Sequence, residues 1–275
     1  FFFRFEAVAV FFHTFRRIHN RRLLMDQFRH ALHVRLQRDH LRDEHRRLPE
    51  KLEEALEVIK TKFLFATWET LYATILATFF AILIGLPLGM LLVAGDAKGV
   101  RPLPPLLMKV LNVIINLLRS VPFIILMVMV IPLTRAIVGT SVGTVASIVP
   151  LAIAAFPFVA RLVEGSLREV NPNIIETAQS MGATPMQILL RVMLPESVPS
   201  LISNFTLAIT TIMGYTAMSG AVGGGGLGMI AITYGYNRYR YAVLYASVIV
   251  LVIIVQVIQS VGTKLAIKCD KRLRN

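Results

Sequence analysis

Apolar residues run along this chain in long blocks separated by short polar joints, and block length decides what each block can form. A helix crossing the hydrocarbon core of a bilayer needs about 20 apolar residues, because every backbone amide there must be satisfied within the segment. Five blocks reach that length. Residues 70–95 hold no charge, 110–134 hold Arg119 alone, and 136–160 and 241–263 hold none. Residues 197–237 are also uncharged. That run is too long for one span, and its glycine-rich second half predicts a helix followed by an irregular external loop. The pattern predicts an all-α membrane protein with five transmembrane helices. Ahead of the first block, Leu48, Leu52, Ala55, Leu56 and Ile59 share one helical face, which predicts an amphipathic lead-in over 48–62 lying at the membrane surface.

One polar segment interrupts this pattern. In "NPNIIETAQSMGATPMQILLRVMLPES", residues 171–197, Asn171 is a good N-cap with Pro172 at the first helical position, and Gly182 is placed for a left-handed stop. Thr184, Pro185 and Gln187 give a second start with the spacing of a capping box, and Pro195 is expected to end it. The prediction is helix, glycine turn, helix. Ile174, Ile175, Ala178 and Met181 share one face of the first helix, opposite Glu176, Thr177, Gln179 and Ser180. So short a helix needs a surface to dock on. Its own bundle is the default, and a partner's groove is the sharper alternative.

Composition agrees with a bilayer: 55% of the 275 residues are hydrophobic and 16% charged, with a mean hydropathy of +0.66. The net charge of +13 raises nucleic-acid binding, so its distribution matters. Residues 264–275 carry Lys264, Lys268, Lys271, Arg272 and Arg274 against Asp270 alone. A basic end of this kind is cytoplasmic under the positive-inside rule. Five crossings then put the hairpin on the same, cytoplasmic side. Residues 1–47 differ in kind, with 11 arginines, no lysine and all six histidines. This leader is expected not to be native, with the protein starting near Leu48; an arm for anionic lipid or nucleic acid is the weaker reading. The single Cys269 admits no internal disulfide.

Glu176-Thr177-Ala178, then Gly182 with Ala183 after it, then Val192-Met193-Leu194-Pro195 resembles the EAA loop of ABC-importer permeases, whose pattern is Glu-Ala-Ala, three residues, Gly, nine residues, Ile-x-Leu-Pro. Thr177 and Val192 are mild departures. "RSVPFIILMVMVIPLTRAIVGTS", "MGATPMQI" and "GYTAMSGAVGGGGLG" resemble the methionine permease subfamily. The likeness spans 63–268 as the permease domain, leaving 269–275 as a basic tail. It implies a type I importer architecture with five helices per subunit and a homodimer in a bacterial inner membrane. Its partners would be a cytoplasmic ABC ATPase dimer that holds ATP and Mg, an extracytoplasmic methionine-binding lipoprotein, and membrane lipid. Glu176, Thr177, Ala178, Gly182, Ala183, Leu194 and Pro195 would form the ATPase-coupling site. Another amino acid or small solute is the alternative cargo.

In the fourth block Ser203, Thr206, Thr210, Gly214 and Ala217 recur every three or four residues. Helix packing is the common reason for such a stripe. With Met213, Tyr215 and Met218 it is also the candidate translocation pathway. Gly85 and Gly89 predict close packing, and Pro87, Pro122, Pro150 and Pro157 predict bends. Arg119, costly among apolar neighbours, is expected to pair with Glu164, Glu169 or Glu176. Gly223, Gly225 and Gly228 formally match a dinucleotide fingerprint but lack its strand and acidic partner. Asn204-Phe205-Thr206, a glycosylation sequon, lies in a predicted span. No phosphate-binding loop, metal-ligand spacing or catalytic set occurs, so ATP hydrolysis, cofactor and metal are not expected in this chain, nor nucleic acid as a partner. An ion-driven carrier would need a carboxylate within a span, and none of the five blocks has one. Removing residues 1–47 is expected to leave membrane insertion and transport at the full-length level, as read by fractionation and uptake.

Overall fold

The chain divides into two units, 1–54 and 55–275, and the computed structural model describes residues 53–97 and 99–270. The predicted leader, residues 48–52 of the lead-in and the last five residues lie outside this range. Everything described is helix, turn or loop. The first helix, α1, runs from Glu53–Ala94, 42 residues. Then follow α2 (Pro105–Ser120), α3 (Phe123–Met129), α4 (Ile131–Val138), α5 (Thr144–Arg168), α6 (Pro172–Ser180) and α7 (Pro185–Gln187). A π-helical turn over Ile188–Met193 leads into α8 (Leu194–Glu196) and α9 (Val198–Ser219). A 3₁₀ turn, α10 (Gly226–Ile230), a second π turn (Ala231–Tyr236) and α11 (Tyr241–Cys269) complete the chain. Among the described residues α1, α5, α9 and α11 are long and apolar enough to cross a membrane, and the α2–α3 pair, bent by 104°, makes a fifth crossing if counted as one span.

Helix α5 is the axis. Over half, 56%, of its most apolar window is buried, against 11% for α11. Leu151, Ala155, Val159, Val163 and Leu167 are fully buried along it, packed with Ala73, Ala77 and Ala81 of α1 and Ala208 and Ile212 of α9. Gly85 of α1 approaches so closely that a Cβ would lie 2.8 Å from Val159, which places the predicted glycine pair against α5. The buried face of α1 also carries Thr70, Thr74 and Thr78, each hydroxyl donating to the carbonyl four residues back. This satisfies the hydroxyl inside its own helix and leaves a smooth packing surface.

Four expectations need correction. The lead-in does not lie apart as a surface helix: from Glu53 it is the first stretch of α1, because no Gly or Pro occurs between Glu53 and Gly85 to stop the helix. The block 136–160 is not one helix. Gly139 at φ 82° ends α4, Gly143 at φ 103° precedes α5, and α5 runs on to Arg168 through charged residues that pair with one another. The block 110–134 is broken before Pro122, whose ring disfavours helical geometry at Val121, here at φ −76° ψ 125°. Pro87, Pro150 and Pro157, by contrast, stay within continuous helices.

The fourth concerns the glycine-rich stretch, which is not an irregular external loop. Residues 220–236 fold back as a compact helical hairpin against α9 and α11, with Gly224 to Gly228 all buried. Space explains the glycines: a Cβ on Gly228 would collide with the backbone of Ala217, and one on Gly220 with the backbone of Met229. Gly228→Ala is therefore expected to cost about 1–3 kcal/mol, since backbone cannot rotate aside, and to lower the unfolding temperature in detergent; an unchanged temperature would contradict this packing.

Candidate functional site

Between α5 and α9 the polar segment folds as its punctuation predicts at the first three stops. Asn171 accepts from the Asn173 N–H at 3.0 Å and Pro172 takes the first helical position. At the far end Gly182 sits at φ 80°. Its N–H donates to the Gln179 carbonyl at 2.9 Å and that of Ala183 to the Ala178 carbonyl at 3.1 Å, the paired bonds of a Schellman stop. The second arm opens on a full capping box: Thr184 Oγ1 accepts from the Gln187 N–H, and Gln187 Oε1 accepts from the Thr184 N–H at 2.9 Å.

Pro195 does not end the second arm. The Ile188–Met193 turn widens to π geometry, with the Leu194 N–H donating to Leu189 five residues back, and Pro195 lies in the first turn of α8. There a missing N–H costs nothing. The break falls at Ser197 instead, whose hydroxyl donates to the Met193 carbonyl at 2.9 Å.

The hairpin is docked along one side only. Ala178, Ile188, Leu189 and Met193 are buried in the main core with Leu167, Val170 and Leu201, while Ile175, Ala183 and Leu194 pack at its edge. Glu176, Thr177, Gly182 and Pro195 are exposed. The predicted apolar face of α6 is split, because Ile174 and Met181 point away from the core. Met181 is 77% exposed and Met186 62%, and Leu190 joins them in an apolar tip. None of the described residues covers this tip.

Charge is concentrated at the hairpin's root. Arg168, at the end of α5, bridges Asp96 at 2.7 Å and Glu164 at 2.9 Å, and Glu164 also holds Arg161 at 2.6 Å. Arg161 reaches across to Asn112 and Asn116 of α2 at 2.7 and 3.1 Å. Glu164 thus belongs to Arg161 and Arg168, and the expected pairing with Arg119, exposed near the end of α2, is not formed. Beside this root lies a cavity of about 500 Å³ lined by Ser166, Glu169, Glu196, Ser200, Asn204 and Asp270 among others. Asn204, the sequon residue, is inside α9 and donates to Ser166 Oγ at 2.8 Å.

The pathway candidates on α9 divide into two sets. Ser203, Thr210, Gly214 and Met218 lie on the face turned away from the subunit's core, partly or fully exposed. Thr206 is buried against Gly262 of α11, Met213 is 1% exposed, Ala217 abuts Gly228, and Tyr215 stacks on Phe123 at 4.7 Å. The first set is available to line a space outside the subunit, and the second holds the subunit together.

Two polar centres escaped the sequence analysis. One is the Arg161–Asn112 contact, which joins residues far apart in sequence. The other is Glu69, which falls one residue before the first block as drawn. The unbroken helical run through it was the available signal. Among the described residues no three His, Cys, Asp or Glu side chains converge on a metal site.

The family of binding-protein-dependent transport system inner membrane components matches residues 85–275. The chain belongs to this family. It is 47% identical over 209 residues to the probable D-methionine transport system permease protein MetI of Vibrio cholerae, covering 76% of this chain and 92% of that one. The MetI of Escherichia coli K12 is 47% identical over 160 residues, 56% of this chain and 70% of its own. An inward-facing structure of the MetNI methionine ABC transporter superposes with a TM-score of 0.73 at 45% identity, covering 74% and 94% of the two chains. An amino acid ABC transporter crystallised with histidines, at 20% identity and a TM-score of 0.60, shares the fold. A membrane component of an importer accounts for a bundle with one partly undocked hairpin.

Gly182 gives the geometry its test. A Cβ there would meet nothing within 4 Å, so Gly182→Val acts only through the left-handed backbone, at about 1–2 kcal/mol. Faster proteolysis within 181–187 is expected for Val and much less for Asn, which tolerates this conformation; equal rates would refute the role of φ.

Proposed function

We infer that this chain is the permease subunit of an ATP-driven importer for methionine, forming the translocation pathway and taking its motion from a separate ATPase. The observation that carries this is identity close to one half along nearly the full length of a methionine permease, through both the hairpin and the bundle. In this reading two copies pair, and the exposed face of α9 with Ser203, Thr210, Gly214 and Met218 lines the space between them. Met218 supplies a flexible side chain near the far end of that helix, while Met213, a pathway candidate from its position in the sequence, is buried inside the subunit. A binding protein delivers the amino acid from outside, and lipid covers the apolar outer faces of α1 and α11. The hairpin and the C-terminus face the cytoplasm of a bacterial inner membrane.

Glu176, Thr177, Ala178, Gly182, Ala183, Leu194 and Pro195 form the coupling site, with ATP and Mg held by the ATPase alone. Ala178 and Leu194 anchor the hairpin to the bundle, while Glu176, Thr177 and the Met181–Met186 tip meet the ATPase. A push on a rigid, capped hairpin is passed directly to α5 and α9, which flank it in sequence. ATP binding does its work by favouring one of two arrangements of the bundle, and no bond is made or broken in this chain.

Vesicles holding this chain with its ATPase and binding protein are expected to accumulate methionine only with ATP, and accumulation of another solute in its place would overturn the substrate. Glu176→Lys and Gly182→Pro should each cut uptake roughly tenfold, the effect of about 1.4 kcal/mol, with membrane insertion intact. Wild-type uptake in both would remove the hairpin from the mechanism.

A further inference from the structure

At the end of the bundle opposite the hairpin, one carboxylate of α1 holds two other elements. Glu69 Oε1 accepts from the hydroxyl of Thr144, the first residue of α5, at 2.8 Å. Its Oε2 accepts from the N–H of Gly226, the first residue of α10, at 3.0 Å. The neighbouring Thr70 hydroxyl oxygen accepts from the Leu227 N–H at 2.9 Å. The Gly143 N–H donates to the Gly223 carbonyl at 2.8 Å, tying the same two segments directly. Farther along α1, Lys62 donates to the phenol of Tyr234 at 2.5 Å, and Arg238 lies 4.7 Å from the Tyr234 ring centroid. Helix α1 therefore grips both ends of the folded-back segment 226–236.

The surroundings make this bridge consequential. Thr144 is 5% exposed and Leu227 0%, and Gly226 is buried. A buried donor without a partner costs its full desolvation. Connectivity gives the bridge its purpose. Helices α5 and α9 are joined at one end by the coupling hairpin. At the other end α9 runs into the folded-back segment, and Glu69 ties that segment to the start of α5. The two helices and their two connections close into a frame, so they tilt together when one end is pushed.

We propose that Glu69 is a positioning residue for transport: by bridging Thr144 and Gly226 it closes the α5–α9 frame, so that motion applied at the hairpin reaches the far end of the subunit. The proposal rests on the importer reading. Glu69 touches no substrate in it and acts through the two helices. A glutamine at this position can still accept from the Gly226 N–H and donate to the Thr144 hydroxyl oxygen, whereas an alanine can do neither.

The test uses the assembled transporter in vesicles, with wild type, Glu69→Ala, Glu69→Gln and Thr144→Val compared for methionine uptake per ATP hydrolysed and for hydrogen exchange of the Gly226 amide. Glu69→Ala is expected to speed Gly226 exchange roughly tenfold, as loss of one buried bond allows, and to lower uptake per ATP by a similar factor while hydrolysis continues. Glu69→Gln should stay near wild type in both readouts. Unchanged exchange and coupling in the alanine variant would overturn the proposal, and so would a glutamine variant as damaged as alanine, since charge rather than bridging would then matter. If the alanine variant does not assemble, Thr144→Val decides, because it removes one arm only; full coupling in that variant sinks the idea. Failure of the wild type to take up methionine would overturn the importer reading, while Gly226 exchange would still judge the bridge.

Discussion

Helices in lipid gain nothing by hiding apolar surface from a solvent that is itself apolar, so they must be held by close approach and by a few polar bonds. The contact between α1 and α5 shows how far that constraint reaches. Ala73, Ala77, Ala81 and Gly85 give α1 a face with almost no side-chain depth, and Val159 and Val163 of α5 fill the space. Bulk is pushed to the opposite face, where Ile75, Phe79 and Leu83 are exposed. The same division appears on α11, where Gly262 receives Thr206 of α9.

The charged side chains that stand on α5 or bond to it lie toward its two ends. At the hairpin root, Arg161, Glu164, Arg168 and Asp96 neutralise one another. At the opposite end, Glu69 and Thr144 join three elements. Between them α5 is apolar and carries one fully buried face, a rod with a polar fixture at each tip. Ion pairs as exposed as Arg168–Asp96 contribute little to stability, so that pair serves to fix position. Glu164, with a side chain only 12% exposed, is the member whose loss would leave charge unmatched.

Most of the architecture was legible in the chain. Block length marked the spans, and the caps of the hairpin were readable because Asn171, Gly182, Thr184 and Gln187 act on their immediate neighbours. What escaped was set by contacts distant in sequence. Glycines 220–228 look like a flexible loop on their own, and only the backbone of Ala217 and Met229 pressing on them makes them a packed turn. Glu69 was hidden for a related reason: hydropathy ended the span at Thr70, while the helix itself had no reason to stop there. The residues proposed for coupling were picked out by resemblance to a known loop. Their local geometry, with Ala178 buried and Glu176 exposed, separates those that hold the hairpin to the bundle from those left open on its surface.

The π turn over Ile188–Met193 makes the hairpin sensitive to chain length as well as to shape. A π turn amounts to one residue inserted into an α-helix, and each residue of an α-helix advances the chain by about 100°. Deleting one residue from this stretch would restore ordinary winding, yet it would swing the outward methionines around the axis and set Pro195 against a turn that needs its missing donor. Length here therefore matters more than the choice among aliphatic side chains: one such residue can replace another without changing the winding, whereas a one-residue gain or loss would turn the hairpin's outer surface to a different direction.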